Sequence, residues 1–201
     1  MLKNNPPQRV RNEDVRSRED LYSSEIEKMV VAVKDNRNSE RDQALIRICA
    51  SHGLRVSELI GLKWKNIDFD QKQIFITRCK NGVTMMHPLW KKDSKALKKL
   101  YALALKKGLA QPHEYLFLSE RGDQISTRTA RHIVREAGDK AGLKDLKVHP
   151  HMLRHFAGTT IYKKTKCLMT TRNFLGHRSI TSTQRYANLD ASQFNMLESI
   201  F

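Results

Sequence analysis

The chain has 201 residues, 39% of them hydrophobic and 29% charged, which is enough for one domain with a real core. Its 37 Lys and Arg against 21 Asp and Glu leave a formal charge of +16, so the expected partner is a polyanion: nucleic acid, as for a ribosomal or chromatin-like protein, or an anionic membrane surface. No apolar run is long enough to span a bilayer, and the polar first 20 residues hold no signal-peptide core. The three cysteines, Cys49, Cys79 and Cys167, are odd in number and scattered; this excludes a disulfide scaffold and fits reduced thiols in the cytoplasm.

Residues 1–20 carry Pro6-Pro7 and mixed charges and read as a flexible basic arm, whose Arg9, Arg11, Arg16 and Arg18 form a solvated charge run or touch phosphates. A first helix is predicted from Ser24, with Glu27 closing a capping box and Ile26, Met29, Val30 and Val33 at helical spacing. A second helix spans about 40–52 and stops at Gly53; a short third begins near Val56. Residues 73–77 and 84–89 read as antiparallel strands joined by an Asn81-Gly82 turn.

Beyond the hairpin, a helix over about 94–107 has an apolar stripe of Leu97, Leu100, Tyr101, Ala104 and Leu105, and Gly108 ends it. Residues 115–118 form a short buried run. Thr127 caps a helix that reaches Gly142, and Pro150 opens another that runs to about Tyr162. Further helices cover about 168–175, 182–189 and 191–200. The fold class is α+β, mostly helical, with a small antiparallel sheet. Trp64, Trp90, Tyr101 and Tyr162 read as packing residues.

Four pieces carry chemistry: Arg55-Val56-Ser57-Glu58-Leu59; Lys80 at the turn; His151-Met152-Leu153-Arg154-His155; and Leu175-Gly176-His177-Arg178-Ser179, followed by Tyr186. Attack on a phosphodiester builds negative charge on a five-coordinate phosphorus, and fixed cations are the main lever on it. Arginine suits the task because its planar fork grips two oxygens and stays charged. His151 lies one turn before Arg154, so both face the same side of their helix. A phenol with a pKa near 10 needs a base and a cationic field to attack at neutral pH. Taken singly, Arg55 reads as a residue salt-bridged to Glu58, and His149, His151 and His155 can be read as a metal cluster.

Together these motifs resemble the tyrosine recombinase family over roughly residues 20–190. The order R-x-x-E-L, hairpin lysine, H-x-x-R-H, L-G-H-x-S and terminal tyrosine is the specific signal. The resemblance implies DNA strand cleavage and rejoining by transesterification through a 3′-phosphotyrosine, with no metal and no other cofactor. Arg55 and Arg154 are then the phosphate clamps, His151 accepts the nucleophile's proton or donates to the phosphate, His177 is a hydrogen-bond donor to the phosphate and Tyr186 the nucleophile. Lys80 is the general acid, chosen over Arg78 because its spacing to Pro88 matches the family. Glu58 and His155 stand behind these residues and orient them.

About twenty residues precede the first helix, so the chain looks like the short, single-domain members of the family, such as the fimbrial phase-variation invertases; a truncated chain is the competing explanation. The expected layout is an arm (1–20), a catalytic domain (21–190) and a helical tail (191–201). Phe194, Leu197 and Phe201 line one face of the tail. The tail packs either on its own core or on a neighbouring protomer. The expected partner is double-stranded DNA, held by a protein that is monomeric in solution and tetrameric on two sites. A type IB topoisomerase-like enzyme and an inactive DNA-binding accessory protein are the alternatives.

Overall fold

The computed structural model describes residues 18, 20–78, 85–177, 179 and 181–187. The arm up to residue 17, Cys79, Lys80, the Asn81-Gly82 turn and the tail lie outside the described residues. Eight helices and a three-stranded sheet are described: α1 (Ser23–Ala32), α2 (Ser39–His52), α3 (Val56–Ile60), β1 (Ile67–Asp68), β2 (Gln73–Ile76), β3 (Met85–Pro88), α4 (Lys91–Lys106), α5 (Thr127–Lys140), α6 (Pro150–Thr165), α7 (Leu168–Leu175) and α8 (Thr181–Ala187).

Helix α2 is the hub. Its apolar residues Ala44, Leu45, Ile46, Ile48 and Cys49 are buried, and it packs against α1, α4 and α6. Burial on so many sides needs more than one apolar stripe, and α2 carries two adjacent ones. The sheet is antiparallel in the order β1-β2-β3, with Ile74 opposite both Ile67 and His87, and Ile76 opposite Met85. Ile74 and Ile76 face the core while Phe75, pointing the other way, is partly exposed, as the period of two requires. A second, smaller apolar cluster joins Ala157, Tyr162, Leu175 and Tyr186, where α6, α7 and α8 meet.

Several boundaries depart from the sequence expectations. The first capping box is made by Tyr22 and Glu25, whose carboxylate accepts from the Tyr22 N–H at 2.8 Å. Glu27 instead pairs with Arg47 and Lys92, at 2.8 and 2.6 Å. Helix α5 is capped by Ser126, whose hydroxyl accepts from the Thr129 N–H at 3.0 Å, and not by Thr127. Helix α4 starts three residues early, at Lys91. Helix α6 runs past Tyr162 to Thr165, its last turn carrying Lys163 and Lys164, which suit the negative end of a helix dipole. Pro150 does occupy its first turn. Trp64 and Tyr162 are buried, whereas Trp90 is half-exposed and stacks on His52, with ring centroids 4.8 Å apart.

Candidate active site

The site forms where the ends of α2, α3 and α7 converge on the first turns of α6. Arg154 is 3% exposed, and its fork donates to the Gly53 carbonyl at 2.5 Å and to the Leu175 carbonyl at 2.8 Å. It therefore ties the C-terminal ends of α2 and α7 together, satisfying carbonyls that have no partner within their own helices. Glu58, one turn into α3, is fully buried and serves several arginines. It accepts from the Arg55 N–H at 2.9 Å and the Arg55 Nη1 at 2.8 Å, and from Arg78 Nη1 at 2.9 Å; Arg154 Nη1 stands 3.8 Å away.

A pocket of about 310 Å³ opens in front of this cluster. It is lined by Leu54, Arg55, Val56, Arg131, His149, Pro150, His151 and Arg154. Three of the sequence-predicted residues, Arg55, His151 and Arg154, thus share one cavity. Arg55 keeps 40% of its side chain exposed, so it reaches solvent while Glu58 holds its base. His151 is exposed and stacks near His149, whereas His155, four residues on, is buried. The three histidines therefore do not point the same way, and among the described residues no three His, Cys, Asp or Glu side chains form a metal-holding group.

Tyr186 sits on α8, 3% exposed, in the smaller apolar cluster beside Arg154. Its ring centroid is 5.2 Å from that of His155. Its phenol lies against Gly158, where an added Cβ would fall 2.6 Å from the tyrosine oxygen. His177 follows α7 directly, and its Nδ1 lies 3.0 Å from the hydroxyl of buried Thr183, the residue one turn before Tyr186. That contact links the L-G-H turn to the tyrosine helix. Lys80 lies outside the described residues.

The electrostatics follow from this packing. Burial lowers the pKa of Arg154 to about 10, aided by the Arg55 charge and opposed by Glu58 and the Tyr186 phenol; it stays protonated at neutral pH. Burial pushes the Glu58 carboxyl upward, but the Arg55 N–H, the Arg78 charge and the Arg55 side chain outweigh it and hold the group below the ordinary carboxylate range. Glu58 is therefore an anion among guanidiniums, and the pocket keeps a net positive charge. Cys49, beneath the site, is raised to about 12 by burial and is an inert core thiol.

Two residues were not singled out as site residues from the sequence. Arg131 lines the pocket from α5; with Arg128 and Arg135 it shares an exposed face, at i, i+3 and i+7. That spacing is visible in the sequence, but it also describes an ordinary solvated helix face. Arg78 is the other, and no local pattern signals its burial.

The phage integrase family pattern matches residues 19–193. The chain belongs to the phage integrase family. Its relatives include the type 1 fimbriae regulatory protein FimB of Escherichia coli K12, 35% identical over 184 residues, which cover 90% of each chain. FimE of the same strain is 33% identical over 87% of each. Tyrosine recombinase XerC of Thermodesulfovibrio yellowstonii is 34% identical over 78% of this chain and 53% of its own length. Among solved structures, the XerA recombinase superposes with a TM-score of 0.75 at 28% identity, covering 90% of this integrase-family chain and 64% of XerA. This chain thus spans most of FimB but only about half of XerC.

Proposed function

We propose that this protein is a site-specific DNA recombinase that cuts and rejoins strands through a tyrosine ester. The observation that carries the reading is the shared pocket: Arg55, His151 and Arg154 line one cavity, and Tyr186 packs on the same helix α6 that bears two of them. The likeness to XerC and FimB supports it. DNA is the substrate that fits a charge of +16 and an arginine-lined face on α5 leading to the pocket.

In this mechanism a scissile phosphate enters the pocket and meets the forks of Arg55 and Arg154, with His177 donating to a third position. The Tyr186 oxygen attacks phosphorus and its proton passes to His151. The P–O5′ bond breaks, the 5′ oxygen takes a proton from Lys80, and a 3′-phosphotyrosine remains. A 5′-hydroxyl from the partner strand then reverses each step. The phosphodiester energy is kept in the ester, so the cycle closes without a nucleotide cofactor. Glu58 and His155 hold Arg55 and the tyrosine ring in register.

The assembly part of the reading is a monomer in solution and four protomers on two paired sites, with residues 191–201 docking between protomers and residues 1–20 as a phosphate-touching arm. The test uses a nicked suicide duplex and a paired-site plasmid. The expected result is a covalent adduct that Tyr186→Phe abolishes without loss of DNA binding, plus exchange between sites. Relaxation without exchange would mark a topoisomerase-like enzyme. Binding with no adduct would mark an accessory protein.

A further inference from the structure

We propose that Arg78 is a positioning residue for strand cleavage, joining the three segments that bear Arg55, Lys80 and His177. The inference rests on the recombinase reading above. Arg78 follows β2, two residues before Lys80, and its side chain has no exposed surface. One arm of the guanidinium donates to Glu58 at 2.9 Å, the carboxylate that holds Arg55. The other arm donates to the carbonyl of Phe174 at the end of α7, three residues before His177. Burying a guanidinium is costly unless its charge is paired and hydrogen-bonded, and this one divides its two Nη arms between separate elements of the site.

Two further contacts belong to the same joint. Gly176 of the L-G-H turn packs on Arg78: a Cβ there would fall 2.6 Å from Arg78 Nε and 2.9 Å from Cδ. The glycine before His177 thus leaves the space that the arginine occupies. On the other side of the hairpin, His87 of β3 stacks on the Phe174 ring with centroids 4.0 Å apart. The base of the hairpin is therefore held to the end of α7 through both its strands. Arg78 does not line the phosphate pocket, so it acts through Glu58 and through the turn that presents His177, not on the phosphate itself. Its burial also separates it from Lys80: a guanidinium committed to two partners is not the group that protonates the leaving oxygen.

The test is single-turnover cleavage of the nicked duplex by the full chain with Arg78→Lys, alongside DNA affinity and melting temperature. Lysine keeps the charge beside Glu58 but has one point donor where two arms are needed. Cleavage is expected to fall at least about tenfold, on the scale by which small misplacements slow a reaction, with affinity and melting temperature near those of the unmodified protein. A second substrate carries sulfur in place of the bridging 5′ oxygen, a leaving group that needs no proton. It should restore cleavage to Lys80→Ala but at most partly to Arg78→Lys.

Unchanged cleavage by Arg78→Lys overturns the proposal. So does a loss matched by weaker DNA binding, or full rescue by the sulfur substrate, which would leave Arg78 acting through the general acid alone. If Arg78→Lys melts early, the pair Arg78→Met/Glu58→Gln, which removes both buried charges, is compared with Glu58→Gln alone. A further loss of cleavage at equal melting temperature is expected, and its absence overturns the role. Failure of the unmodified protein to form an adduct would instead refute the recombinase reading.

Discussion

Replacing Gly158 with alanine tests whether the seat of Tyr186 sets the rate of strand cleavage. Glycine inside a helix is about 1 kcal/mol less favourable than alanine, so in α6 the substitution favours the backbone. The obstacle is the tyrosine. The new Cβ would lie 2.6 Å from the phenol oxygen and 2.7 Å from a ring carbon, where ordinary contact begins near 3.4 Å. Gly158 is part of α6, whose backbone is held by the main core through Met152 and Leu153. The ring must therefore give way, by most of an ångström. A displacement of about 1 Å at a reacting atom costs on the order of a hundredfold in rate. The assay is adduct formation on the nicked duplex, with DNA affinity measured in parallel. Cleavage should drop by about that factor while affinity is unchanged. With Tyr186→Ala in the background the clash is gone, and Gly158→Ala should then raise the melting temperature by about 2–4 °C, the shift that 1 kcal/mol produces in a chain of this size. Wild-type cleavage by Gly158→Ala would refute the seating argument outright.

Arg154→Lys should lower cleavage by at least about a hundredfold, the scale of losing one preorganised donor, because a single ammonium cannot hold the Gly53 and Leu175 carbonyls and also grip phosphate; a near-normal single-turnover rate would count against it. The Glu58 carboxyl is depressed in the folded chain, so it stabilises the protein at neutral pH and that contribution fades as the pH falls below the unfolded value of about 4.3 and through the folded one. Glu58→Gln should accordingly be less stable at pH 7 and show a flatter acid limb in circular-dichroism melts; an unaltered limb would remove Glu58 from the linkage. EDTA should leave cleavage intact, since guanidiniums supply the positive charge; abolition by chelator with rescue by zinc would favour the histidine cluster instead.

Much of this architecture could be read in advance, and the exceptions share a cause. Gly53, Gly108 and Gly176 mark helix ends because left-handed backbone is local chemistry, and all three have positive φ. Proline at the start of α6 and the alternation in β2 are local in the same sense. The caps of α1 and α5 were misplaced by one or two residues because several hydroxyls and carboxylates compete there. Glu27 was taken from the first cap by Arg47 and Lys92, 20 and 65 residues away, which no local window can see. β1 is two residues long and too short for any pattern. In the candidate site, the motif residues near Arg154 came together because their spacing on α6 is helical. No local pattern marks Arg78 as more than a rival to Lys80, because its partners, Glu58 and Phe174, lie 20 and 96 positions away in sequence.

The cluster of three guanidiniums around the Glu58 carboxylate couples the proposed phosphate site to the stability of the fold. Among the described residues, Arg55, Arg78 and Arg154 converge on the Glu58 carboxylate, and burial together with the Arg55 charge weakens the hold of Arg154 on its proton. A phosphate in the pocket, as proposed, would add a further anion beside them. Any ligand that binds only the folded form stabilises it by an amount that grows with the logarithm of its concentration relative to its Kd. With a phosphate held there, as proposed, DNA-bound chains should open to proteases less often than free ones.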